Sequence, residues 1–444
     1  MARSIVAALS RIKSEVALWL TPETIERICH EVGHVWRDRL LDPVTTVHLF
    51  VLQILHGNTA CSHVPRLGGV QCTGEAYGLA RARLPLVVLQ RLLEGITTKL
   101  KGAGDAAGRW RGHRTLTIDG SSTSMPDTPA LQAAYGQHGM QAVDVGFPIM
   151  HLLALFDATT GFLLRMVSSP LRTHDMSQTP RLHPEITKGD ILLGDRGFCS
   201  FAQLALIAAR GAFSLFRTHQ KQIVDFTRGR PSGGLGQPSS RWLRRLGRLD
   251  QLVEYVKPLV RPNWMSDAEY DALPATIIVR ELRYQTGVRG FRSQQITVTT
   301  TLLDPTLYPK EALAELYQQR WNIELNFRHL KTTMNMEVLH CQTVDGVQKE
   351  LAVYALVYNL IRMVMLQAAE RQQQPVDRIS FVDAARWLER ALMGDETPLH
   401  LAVNPHRPHR FEPRAVKRRP KPFDLLNVPR DVARQRLCEQ RDAA

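Results

Sequence analysis

The stretch R-T-L-T-I-D-G-S-S, residues 114–122, decides the fold. Upstream of it the apolar residues recur at helical spacing; from Arg114 the period falls to two and β-branched residues take over. The run predicts a strand ending at Asp119, followed by a turn through Gly120, Ser121 and Ser122. A second strand reads in F-P-I-M-H-L-L-A-L-F-D, Phe147 to Asp157, and the turn Thr159–Thr160–Gly161 leads into F-L-L-R-M-V. These three make an antiparallel meander. Past Pro184, D-I-L-L-G-D-R-G-F gives a short buried strand ending at Asp195. Ser200–Arg210 then reads as a helix, and A-F-S-L-F-R-T as another strand. A meander joined to a strand–helix–strand crossover predicts an α/β fold: a mixed sheet with helices packed on it.

Outward from this core, the first hundred residues read as helices. Thr21–Arg27 (T-P-E-T-I-E-R) carries a cap residue, proline at the first helical position and early acids. Val44–Leu55 and Leu86 to Leu100 are apolar at helical spacing. Arg37, Arg39, Arg66, Arg81 and Arg83 on this bundle suit duplex DNA, and an ordinary helical cap domain reads the same way. Residues 228–248, rich in Gly, Pro, Ser and Arg, read as a flexible basic loop. It enters a β-rich insertion with strands at Leu252–Val256, Thr276–Tyr284 and Gln294–Leu302. After Pro309 the helical period returns, with a very apolar helix from Gln348 to Glu370 and a polar break at Arg371–Pro375.

The 444 residues carry 56 Lys and Arg against 42 Asp and Glu, a formal charge of +14, which favours a polyanionic partner over a neutral one. The six cysteines form no C-x-x-C pair and read as reduced core thiols of a cytoplasmic protein. Cys61, His63 and Cys72 lack the second close pair that a zinc site needs. No signal peptide is evident and no apolar run approaches membrane-spanning length, so a membrane role is not expected.

Three acids stand out by context. Asp119 and Asp195 each close a short apolar strand. Glu324 lies in Y-Q-Q-R-W-N-I-E-L-N-F-R-H-L-K, residues 317–331. On one continuous helix Tyr317, Arg320, Glu324 and Lys331 share a stripe roughly 60° wide at about 100° per residue. Singly, each acid has an ordinary reading: the aspartates as turn residues, Glu324 as a surface partner of Arg320 or Arg328. If they converge, the carboxylates repel unless a hard cation neutralises them, and oxygen donors select Mg²⁺ or Mn²⁺. Two such ions suit phosphodiester cleavage, with Asp119 as the shared ligand. Arg320 and Lys331 suit phosphate, and Tyr317 can donate to it. His174, next to Asp175, and His219 read as loop residues.

These residues resemble the DDE transposases of bacterial insertion sequences, in the insertion-sequence-four branch. The signature Y-x₂-R-x₃-E-x₆-K falls on Tyr317, Arg320, Glu324 and Lys331, and I-D-G-S-S at Asp119 and G-D-R-G-F at Asp195 match by context. The basic P-R-A-V-K-R-R-P-K-P-F from Pro413 matches the family's tail. The resemblance implies an RNase H-like core interrupted by the insertion. It divides the chain into a helical N-terminal DNA-binding domain (1–105), the first part of the core (106–220), the β-rich insertion (221–302), the second part of the core with the glutamate helix (303–370) and a helical, basic C-terminal region (371–444). It further implies a cytoplasmic, nucleoid-associated dimer on double-stranded DNA that pairs two transposon ends, cleaves them and inserts them in a target. In this picture an aromatic residue of the insertion stacks on a flipped base: Trp264, or Trp242 after it, each of which reads equally as a core or loop residue. A metal-dependent nuclease, or an inactive or domesticated DNA-binding relative, keeps the same residues.

Overall fold

The structure, a computed structural model, describes residues 15–106, 108–139, 141–231, 233, 239–285, 295–405 and 426–442. The expected basic tail from Pro413 lies outside them, as does part of the 228–248 loop. Nine strands form one sheet among the described residues, ordered β3-β2-β1-β4-β5-β9-β8-β7-β6. The core strands are β1 (Thr115–Ser124), β2 (Ile149–Asp157), β3 (Leu163–Pro170), β4 (Ile191–Gly194) and β5 (Phe213–Arg217). The first three are antiparallel, and β4 and β5 run parallel to β1. This is the RNase H-like arrangement. The connection from β4 to β5 runs through helix α5 (Phe201–Ala209), capped by the Ser200 hydroxyl.

β1 corrects one expectation. It does not turn at Gly120; its ladder with β2 continues to Ser124 opposite Ile149. What ends near Asp119 is the ladder with β4, whose last pair is Thr117–Leu193. Asp119 is thus mid-strand on one side and past the end of pairing on the other.

The insertion is not a separate sheet. β6 (Ser240–Gly247), β7 (Asp250–Val256), β8 (Thr276–Gln285) and β9 (Gln295–Thr300) extend the core sheet through the antiparallel β5–β9 pair. Composition reads residues 240–247 as part of the flexible basic loop. They form the outermost strand, where charge is tolerated and discourages pairing with another chain. Inside the insertion, Glu281 receives both guanidinium nitrogens of Arg230, at 2.6 and 2.9 Å, and the hydroxyl of Tyr255 at 2.8 Å.

The N-terminal helices α1 (Pro22–Glu31), α2 (Pro43–Leu55), α3 (Gly74–Arg83) and α4 (Leu86–Ala106) do not stand apart from the sheet. One continuous apolar cluster runs from Leu20 to Leu401, taking in these helices and the core sheet. Its axis is α8 (Val344–Gln372), which packs against α2, α4 and β3. The expectation about apolar runs fails here: this helix is long and apolar enough to cross a membrane, yet 94% of its apolar window is buried in the fold. It is a core helix. Asn359 fixes it to β3 by accepting from the Leu163 N–H and donating to the Leu163 carbonyl, both at 2.9 Å. Arg362 donates to the Thr160 carbonyl, and its guanidinium fills the place where residue 161 would carry a side chain. With φ of +72° in this turn, Gly161 is required twice over.

Candidate active site

The stripe expected on one helix is built from four short pieces. Helix α6 (Lys310–Gln318) passes into a 3₁₀ turn (Gln319–Trp321), then α7 (Asn322–Arg328), then a π turn (His329–Thr333). These changes of pitch give the four residues different surroundings. Tyr317 is buried at the end of α6 and donates to the Gly194 carbonyl at 3.2 Å. Arg320 is buried in the 3₁₀ turn, Glu324 is half exposed on α7, and Lys331 lies half-buried in the π turn. Single π turns inside helices are frequent at functional sites.

Arg320 brings the acids together. Its Nη1 donates to Asp119 Oδ2 and its Nη2 to Glu324 Oε1, each at 3.4 Å. Asp119 also accepts the Gly120 N–H at 2.8 Å through Oδ1. Burial pushes the Asp119 carboxyl up to about 6; the Gly120 N–H and Arg320 oppose this, while the charges of Asp195 and Asp175 add to it. Asp195 follows β4 directly and accepts the Gly197 N–H at 2.7 Å, starting the Arg196–Phe198 turn. Beside it a cavity of about 150 Å³ is lined by Asp195, Arg196, Arg217, Arg320 and Trp321. Larger cavities, about 420 Å³ by Arg81 and about 640 Å³ by Asp250, lie elsewhere. A site that acts on a duplex backbone is an open edge and needs no deep pocket.

Trp264 is partly buried against the main apolar cluster, and Trp242 is half-buried on β6 with Arg228 over its ring. The exposed indole at the acids is Trp321, 52% accessible, with the Arg320 guanidinium 4.7 Å from its ring centre. Sequence reasoning passed over it although it directly follows Arg320. It also passed over Asp175, whose His-Asp context was visible but whose place beside β1 was not. The donor set at these strand ends is all carboxylate oxygen, which fits a hard divalent cation. Arg320 now neutralises Asp119 and Glu324 from the position between them. Among the described residues no three His, Cys, Asp or Glu side chains already converge to metal-binding distance.

A family model described as the transposase DDE domain matches residues 110–360, more than half of the chain and every element of this site. The chain belongs to the DDE transposase family. The transposase is 25% identical over 387 residues to Transposase InsG for insertion sequence element IS4 from Escherichia coli (strain K12), covering 84% of this chain and 82% of the relative. That agrees with the insertion-sequence-four branch read from the signature. A shorter stretch of 94 residues, 21% of this chain and 24% of the relative, is 31% identical to the probable transposase for insertion sequence element IS5377 of Geobacillus stearothermophilus. The cryo-EM structure of the piggyBac transposase synaptic complex with hairpin DNA aligns with a TM-score of 0.44 at 9% identity, over 87% of this chain and 80% of that one.

Proposed function

We propose that this transposase cleaves DNA at the ends of its insertion sequence by metal-dependent phosphodiester hydrolysis and joins the freed 3′ ends to target DNA, a cut-and-paste reaction. The observation that carries the reading is the Arg320 bridge between Asp119 and Glu324 with Asp195 alongside, because it gathers three acids from distant parts of the chain at one sheet edge. Asp119, Asp195 and Glu324 would hold Mg²⁺ or Mn²⁺, as two ions with Asp119 shared. When bound, such ions supply positive charge to the attacking and leaving oxygens of an in-line displacement.

The chain's own residues do the rest. Arg320, released from the acids, presents a planar fork that matches two phosphate oxygens, and Lys331 adds a point charge. Tyr317 was expected to donate to phosphate; its hydroxyl is instead engaged by Gly194, which points to a role in seating β4 and so Asp195. Trp321 offers an accessible π face on which a displaced base can stack, a contact that tolerates any sequence. This suits the platform role better than Trp264, whose indole is engaged by the core. The N-terminal helices, within residues 1–105, dock on the duplex: Arg37, Arg39, Arg83 and Trp36 line a cavity of about 340 Å³ there. Two copies, acting in the cytoplasm at the nucleoid, pair the two ends as a homodimer.

Glu324→Gln keeps the size of the side chain and removes its charge. The variant should bind end-containing duplex as wild type does and lose Mg²⁺-dependent nicking and strand transfer. Normal nicking by Glu324→Gln would end the proposal.

A further inference from the structure

The sheet edge that carries the acids runs on across the insertion. Gly194 pairs with Phe216, so Asp195 stands level with Arg217 at the end of β5. From there the registers continue in one row: Arg217 opposite Val298, Val298 opposite Leu282, Leu282 opposite Asp250, and Asp250 opposite Gly247. The β6–β7 turn therefore lies at the same height on the sheet as Asp195. Five strand steps separate them, roughly 24 Å at about 4.8 Å each. β8 and β9 continue three pairs beyond this row, to Gln285 opposite Gln295, and stand up from it as a ridge.

Beside the ridge lies the cavity of about 640 Å³ next to Asp250, a notch between the β6–β7 turn and the start of α6. Its walls are basic. Arg280 is buried and donates to both Asp250 oxygens, at 2.7 and 2.5 Å, which neutralises that acid. Among the lining residues this leaves Arg248, Arg283 and Lys310 against one acid, Glu311. Lys310 Nζ donates to the Arg248 carbonyl at 2.8 Å, so the ammonium is held at the turn that carries the exposed Arg248 guanidinium. Burial holds the Lys310 amine below its ordinary value; Asp250 and Glu311 oppose this, while Arg248 and Arg280 add to it. Tyr284 lines the notch as well, and its hydroxyl is buried without a hydrogen-bond partner. Crowded cations and an unused donor suit an anion better than they suit one another.

One helix joins the notch to the acids. α6 begins at the notch with Lys310 and ends with Tyr317 on the Gly194 carbonyl. A duplex carries one phosphate per roughly 3.4 Å on each strand, so 24 Å of edge matches about seven base pairs. We propose that the Arg248–Lys310 notch holds the sugar–phosphate backbone of the duplex being cut, about seven base pairs from the phosphate at the acids. The contact takes phosphates of any sequence and fixes the direction in which the duplex leaves the site. The inference rests on the reading of Asp119, Asp195 and Glu324 as the cutting edge, and its test separates the two.

The measurement is equilibrium binding of the full chain to a duplex carrying the insertion-sequence end, at salt from about 0.05 to 0.3 M. Arg248→Gln and Lys310→Gln should each bind about fivefold more weakly at about 0.15 M salt, and the slope of log affinity against log salt should fall by about 0.9. Two shortened duplexes locate the contact. One ends about three base pairs from the cleavage site on the element side, the other at the same distance on the flanking side; on one of them wild type and variants should bind alike. Arg248→Gln alters an exposed side chain, and stands as the readout if Lys310→Gln, which also loses its bond to the Arg248 carbonyl, folds poorly. Equal affinity and equal slope for wild type and Arg248→Gln overturn the proposal. A deficit of the same size on the full and on both shortened duplexes overturns it too, because the loss is then not a contact at that distance. Glu324→Gln tells the two readings apart. If it still nicks, the cutting edge is misplaced; if it fails to nick while Arg248→Gln binds like wild type, the acids stand and only the notch is misassigned.

Discussion

Replacing Asp119 with asparagine should make the metal-free protein more stable while leaving it unable to cut DNA. The folded state holds the Asp119 proton up to about pH 6, against an ordinary value of 3.8. At about 1.4 kcal/mol per pKa unit, that shift corresponds to roughly 3 kcal/mol by which ionised Asp119 disfavours the fold. The shift already contains the pull of Arg320 and the Gly120 N–H, so neither is subtracted again. The sign follows from proton uptake. Between about pH 4 and pH 6 the folded chain binds more protons than the unfolded one, so wild type gains stability as pH falls through that window. Above pH 6 the cost is complete and constant. Asp119→Asn removes it, so the variant should exceed wild type by up to about 3 kcal/mol at pH 7.5. With an unfolding entropy of roughly 2.1 cal/mol/K per residue this is about 3 °C for a chain of this length. The assay is chemical and thermal denaturation of both proteins in EDTA, at intervals from pH 8 to pH 4.5. The gap should be flat above pH 6 and close below it. A variant less stable than wild type at pH 7.5, or a gap of the same size at pH 8 and pH 4.5, would refute the account of Asp119 as a carboxylate held in an unfavourable place.

Two further outcomes follow from contacts away from the acids. Tyr317→Phe deletes one buried hydrogen bond to Gly194 and should cost about 1 kcal/mol of stability. If the hydroxyl seats β4, the variant should lose nicking rate more than duplex affinity; lost affinity at normal rate would restore Tyr317 to a phosphate contact. Gly161→Ala forces a side chain into the Arg362 guanidinium at positive φ, and should cost about 3 kcal/mol from backbone strain plus the displaced charge-assisted bond to Thr160. An alanine variant that melts with wild type would show that Arg362 does not hold the β2–β3 turn.

The strand period made the central sheet legible, because each core strand alternates or runs apolar over its own length and needs no distant residue to be recognised. The signature spacing likewise brought out Arg320 and Glu324. What escaped depended on partners remote in sequence. The end of the β1–β4 ladder at Asp119 depends on where β4 stops, not on the turn-like Gly-Ser-Ser that follows. The arginine-rich strand at 240–247 is stable only because β7 accepts it at the sheet's margin. Spacing alone could not reveal the 3₁₀ and π turns that interrupt the helix, nor that Tyr317 and Arg320 are buried while Glu324 stays outside. Asp175 reaches β1 across a turn, where a single missing Cβ makes room, and no local pattern announces that.

The long helix Val344–Gln372 also bears on how such a chain can change over time. Its flanks are shared between helices from the first hundred residues and the sheet that carries the acids. Exchange of the N-terminal helices for those of another element would strip the helix of that part of its covering, and a fragment made without them would present an apolar surface to water. The N-terminal helices and the acid-bearing sheet are therefore inherited as a unit. If those helices read the duplex as proposed above, a new specificity has to arise by substitution on their exposed faces, not by acquisition of a ready-made reader.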